Sequence, residues 1–175
     1  MRLFVALPLG EVAEDALARI CEDMPVAGVD EETWHITLHF AGEWPERMAE
    51  DFADELARIH VDPFAWWIEG VDLFGGERPR LLHAKVGPPA PLADLSRKVR
   101  SAARAAGLEV SHRRFVPHVT LARLKGQPPD ARLSGWIARN LTTKAGPFAA
   151  EGFGLYLSEL RPEGARHTEI MWQPF

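Results

Sequence analysis

The chain has 175 residues, 46% of them hydrophobic and 26% charged, with 25 acidic side chains against 20 Lys and Arg for a formal net charge of −5. Gly and Pro number 14 each, too few for a low-complexity chain, and the apolar fraction excludes disorder, so a soluble globular protein with a real core is expected. The single Cys21 excludes an internal disulfide, and the lack of Cys/His clusters at zinc spacing leaves no metal and no cofactor to expect, in a reducing, cytoplasmic setting.

The opening run Leu3–Leu9 is short, contains Pro8 and passes into Glu11, Glu14 and Asp15, so it reads as a strand (about Arg2–Leu7) rather than a secretory segment. No stretch approaches the roughly 18 apolar residues of a membrane helix, and no membrane partner is expected. Val12, Ala16, Leu17 and Ile20 make the apolar stripe of a helix over about Gly10–Asp23. A strand follows at about Trp34–Ala41, broken by Gly42, then a helix opened by Pro45 and running to about His60, then a strand at about Phe64–Phe74 turned by Gly75-Gly76. The second pass reads as a strand at Arg80–Val86, a helix from about Ala90 to Ala106 capped by Gly107, and a strand from about His118 to Leu124. A short helix then ends near Asn140, and strands at about Phe148–Leu160 and Arg166–Gln173, joined by a turn at Pro162–Gly164, finish the chain. Strand, helix, strand, helix, strand thus occurs twice, which predicts a duplicated α+β protein. Residues 1–175 would form one two-lobed domain with a pseudo-repeat of about 1–76 and 80–160, strand 166–173 completing the sheets.

Equivalent points of the two passes carry His35-Ile36-Thr37-Leu38 and His118-Val119-Thr120-Leu121. Side chains alternate along a strand, so each segment offers an imidazole and a hydroxyl from one face while its aliphatic residues point to the other. One imidazole of such a pair can take a proton from an attacking water while the other gives one to a departing oxygen, and the hydroxyls can donate to the oxygens of a phosphoryl centre. The scheme needs no metal.

The segments Arg2–Leu7, Thr33–Glu43, Phe115–Arg123 and Leu155–Leu160 resemble the two-histidine phosphoesterases, most closely the RNA 2′,3′-cyclic phosphodiesterases historically called bacterial 2′-5′ RNA ligases. The resemblance implies a bilobal fold with two antiparallel sheets lining a central cleft and helices on the outside. It also implies opening of a 2′,3′-cyclic phosphate to a 2′-phosphomonoester, with His35 as proton donor, His118 as proton acceptor, and Thr37 and Thr120 binding the phosphate. Its expected partner is RNA with a 2′,3′-cyclic phosphate end or a small cyclic nucleotide, acted on by a monomer. Reversible 2′-5′ ligation at the same site, and an RNA-end binding protein without turnover, are the alternatives. The chain departs from the family at Trp34, where a smaller aliphatic residue is usual, and at His83 and His167, where aromatic residues are common.

Arg123 lies five positions beyond His118, so a regular strand would turn it to the opposite face and a bulge is required to bring it to the phosphate, as the family pattern favours. His39 falls on the His35 face; His-x-x-x-His spacing bites a metal on a helix but not along a strand, so a supporting or solvent-facing role is expected. Trp34, Phe115, Trp66 and Trp67 are candidates to stack on a base. Charge is polarised along the chain. Residues 1–60 hold 14 acidic and 4 basic side chains, whereas residues 96–129, around the second tetrad, carry a local net of +7. Within that stretch Arg113 and Arg114 are candidates for phosphate contact, which fits local capture of one RNA end better than coating of a strand.

Overall fold

The computed structural model describes residues 1–161 and 164–175. Arg2–Pro8 forms β1, whose five central residues are all buried, as a near-continuous apolar run covered on both faces demands. Then follow α1 (Glu11–Cys21), a single 3-10 turn (Glu31–Thr33), β2 (His35–Glu43), α2 (Glu46–Leu56) and β3 (Phe64–Phe74). β4 (Leu81–Gly87), α3 (Pro89–Ala105), β5 (His118–Arg123), α4 (Ala131–Asn140), β6 (Lys144–Ala150), β7 (Gly152–Arg161) and β8 (Gly164–Pro174) complete the chain.

Most boundaries sit where local chemistry puts them. α3 ends in a Schellman motif: Gly107 takes φ +81, Leu108 N donates to Ala103 O and Gly107 N to Arg104 O, satisfying carbonyls that the helix leaves free. Asp130 caps α4 by accepting from Leu133 N at 2.8 Å. Three expectations need correction. The strand expected at Phe148–Leu160 is two strands, β6 and β7, parted at Glu151; β6 begins earlier, at Lys144, because Gly146 and Pro147 disguise it as a loop. Gly42 does not break β2 but lies within it at φ +93. α2 stops at Leu56 rather than near His60. Of the turn expected at Pro162–Gly164, Pro162 and Glu163 lie outside the described residues.

The strands form one antiparallel ladder in the order β6-β3-β4-β5-β2-β1-β7-β8. Four strands lie on each side of the β5/β2 junction, and that junction rests on one register pair, Ile36↔Val119. The two expected sheets therefore meet edge to edge. The order is palindromic, β2 matching β5, β1 matching β4, β7 matching β3 and β8 matching β6. β3 of the first pass pairs with β4 of the second, and β7 of the second pairs with β1 of the first. Leu3, Val5, Ile36, Leu38, Leu82, Ala84 and Val119 turn to the helices and build one core with Leu17, Phe52, Leu92, Leu95, Val99 and Trp136. The other face of the ladder is left to the tetrads.

Candidate active site

Antiparallel geometry about Ile36↔Val119 sets His35 toward Thr120 and Thr37 toward His118. The two histidines thus lie diagonally, at least about 7–8 Å apart by backbone, with a threonine beside each. All four side chains are half-buried, while Ile36, Leu38, Val119 and Leu121 are buried.

Each tetrad ends in a bulge. Register runs Ala6↔Thr37 then Val5↔His39, leaving Leu38 as the extra residue; it runs His83↔Thr120 then Leu82↔Ala122, leaving Leu121. An inserted residue reverses the alternation beyond it. Arg123, paired with Leu81, therefore comes to the face of His118 and Thr120, and it is exposed there. The same device overturns the expectation for His39: paired with Val5, it turns to the helix side at 7% exposure, where the Arg100 and Arg104 charges of α3 act on it. The carbonyls that the bulges free from the ladder are met from outside. Ser96 Oγ on α3 donates to Leu38 O, and Val29 N donates to Leu121 O, both at 2.8 Å.

The imidazoles are held alike. His35 Nδ1 lies 2.6 Å from Thr33 O and His118 Nδ1 lies 2.8 Å from Val116 O, each a carbonyl two residues back. A carbonyl only accepts, so Nδ1 carries the hydrogen in both rings and Nε2 is the nitrogen left for chemistry. Burial pushes His35 down to about 4, against the raising effect of the Thr33 carbonyl, with His167 and His118 adding to the depression. His118 is also lowered, chiefly by burial.

Around each ring the ladder curls. His35 on β2 and His167 on β8 are three strands apart, about 14 Å in a flat sheet, yet their ring centroids are 5.3 Å apart. Phe74 on β3 and His118 on β5, two strands apart, lie at 5.0 Å. Both halves fold over the tetrads and make a cleft.

Residues 14–158 match the 2′-5′ RNA ligase superfamily. The chain belongs to that superfamily. It is 32% identical over 135 residues to a Geobacillus stearothermophilus protein named RNA 2′,3′-cyclic phosphodiesterase, a match covering 72% of this chain and 43% of that longer protein. A Thermus thermophilus protein of the same name is 32% identical over 97% of this chain and 88% of its own length. A solved crystal structure of a Thermus thermophilus protein superposes with a TM-score of 0.81 at 27% identity, covering 99% of this chain and 97% of the other.

For a member of this superfamily, the sequence marks two cleft residues, His83 and His167, only as departures from the family pattern and gives them no role. His83, 2% exposed, stacks on Phe74 at 3.8 Å and meets the His118 ring edge-on at 5.4 Å; His167 meets His35 in the same manner. Neither belongs to a motif. The signal that would have found His83 is its alternation with Leu81 and Lys85 on the strand that pairs with the second tetrad. Two of the expected stacking residues are withdrawn from the cleft. Trp34, at 6% exposure, and the fully buried Trp66 belong to the core, and Phe115 packs against it. Trp67 is half-buried, and Phe40, which pairs with Phe4, is 62% exposed on the cleft face. Arg114 is exposed in the loop leading into β5, outside the ladder. In the same loop the Arg113 carbonyl accepts from Arg100. Burial pushes the Cys21 thiol up to about 12, which suits a packed thiol rather than a nucleophile.

Proposed function

We propose that this chain hydrolyses RNA 2′,3′-cyclic phosphate ends to 2′-phosphomonoesters. The observation that carries the reading is the matched pair of imidazoles on adjacent strands, each locked by an Nδ1–H bond to the carbonyl two residues back and each beside a threonine of the other tetrad. In the reaction His118 Nε2 takes a proton from water as its oxygen bonds to phosphorus. His35, protonated, gives its Nε2 proton to O3′ as the P–O3′ bond breaks. Thr37 and Thr120 donate to the non-bridging oxygens, and Arg123 balances their charge. His35 is neutral in the free cleft above about pH 4, so it must gain its proton with the substrate; an arriving phosphodiester anion favours the charged imidazole. The names borne by the relatives support the same substrate class. The palindromic strand order supports reading the chain as one duplicated, two-lobed unit.

The test is turnover of an oligonucleotide ending in a 2′,3′-cyclic phosphate, in EDTA, with product identification. Conversion to the 2′-phosphate, with His35→Ala and His118→Ala each slowing it by about 10²–10⁴-fold, is expected. An inactive wild type, a 3′-phosphate or ligated product, or full rate in both variants would overturn the reading.

A further inference from the structure

His35 has a second imidazole at its edge. The β7/β8 register pairs His167 with Ser158, and Ser158 shares the face of Tyr156, which pairs with Phe4 on the cleft side of β1. The curl of the ladder then brings His167 over the first tetrad, with its ring 4.7 Å from Phe4 at 66° and 5.3 Å from His35 at 76°. Phe4 is itself 4.9 Å from His35, so three rings close on one another. Two imidazoles this close, partly withdrawn from water, repel when both are charged.

We propose that His167 is a positioning residue for His35, the two imidazoles forming a coupled pair in which a proton on one ring disfavours a proton on the other. His167 is half-buried and His35 is more deeply enclosed, so the first proton resides on His167 and the second reaches His35 only against that charge. The substrate's anion relieves the repulsion, and His35 is charged when there is a phosphate to receive its proton. Other charged groups among the described residues stand near the pair. β8 carries Glu169, whose carboxylate accepts from the Tyr156 hydroxyl. Glu159 and Arg166 pair one step along the ladder, on its opposite face. The 3-10 turn beside β8 carries Glu31 and Glu32, and across the cleft stands His118. At His83 the same edge contact has another setting: the ring is 2% exposed with Phe74 stacked on its face, and burial is the first cause that pushes it down to about 4.

This inference rests on the proposed reaction for its purpose but not for its test. Ring resonances of His35 and His167 are followed by NMR against pH in the wild type, His167→Phe and His167→Gln. In the wild type the pair is expected to titrate in two separated steps. Either substitution should leave His35 with a single step moved up by about one pH unit, and the limb of kcat/KM that requires His35 protonated should move with it. Phe keeps an aromatic ring at this position and Gln retains a polar side chain, so a fold defect in one leaves the other to decide. An unchanged His35 titration in a folded variant overturns the proposal even if the enzyme is active. A shifted titration in a chain without turnover upholds the pair and sinks the proposed function instead.

Discussion

Thr37 and Thr120 are β-branched residues at home in a strand, and what they add beyond shape in the proposed reaction is one hydroxyl each, on the strand position beside the histidine of the other tetrad. Thr37→Val and Thr120→Val keep that shape. Each is expected to lower kcat by on the order of 10²-fold while the thermal midpoint stays within a few degrees, because on the proposed roles a donor is lost only where charge develops. The histidines predict a pH profile. On the proposed roles, the kcat/KM of the free enzyme requires His118 neutral and His35 charged, so it rises as pH passes the first pKa and falls as it passes the second. Both are held below the ordinary 6.5, and the maximum of kcat/KM is expected on the acid side of pH 6.5. The corresponding kcat profile should lie higher, since bound phosphate favours the charged His35. A kcat/KM maximum at pH 8 would refute this assignment of roles.

At the scale of the elements, the tetrads were readable because strand alternation and a repeated His-x-Thr-Leu leave little freedom, and the helix stripes and the Gly107 cap were readable for the same local reasons. The bulges were not. Nothing in Leu38 or Leu121 distinguishes an extra residue from a paired one, because the choice is made by the partner strand and by groups far along the chain. One of those groups is the buried Ser96 hydroxyl, 58 residues from the Leu38 carbonyl that it serves. Hence Arg123 could be brought to the cleft only on condition of a bulge, and His39 was put on the wrong face. His83 and His167 stood out only as departures from the family pattern, without a role, because their neighbours come from register and curl, which local sequence does not encode. Ser96→Ala would strand the Leu38 carbonyl under α3, and a loss of about 1–3 kcal/mol is expected by chemical denaturation. Loss of activity should accompany it only to the extent that β2 shifts, so a large fall in kcat at unchanged stability would contradict a purely anchoring role for Ser96.

At the scale of the molecule, the ladder divides the charge that the sequence shows as one basic segment. α3 packs its apolar stripe against the core on the helix side, so its cations stand on the opposite side of the sheet from the tetrads, and Arg123 alone of the segment is carried by the cleft face of the ladder itself. The same closure buries imidazoles. Burial holds His35, His39 and His83 down at about 4, with Arg100 and Arg104 adding to the effect at His39. In the unfolded chain each would titrate near 6.5. Between those values the unfolded state binds protons that the folded state refuses, so the stabilisation is fully present above pH 6.5 and is lost as pH falls toward 4. Each excess proton steepens the loss by about 1.4 kcal/mol per pH unit, and two to three are expected near pH 5. Urea unfolding from pH 7 to 4.5 measures the slope directly, and His39→Leu, which replaces an imidazole in an apolar setting, should reduce it by about one proton without touching the cleft. A flat stability profile over that range would mean that these rings take up protons in the folded state as readily as in the unfolded chain.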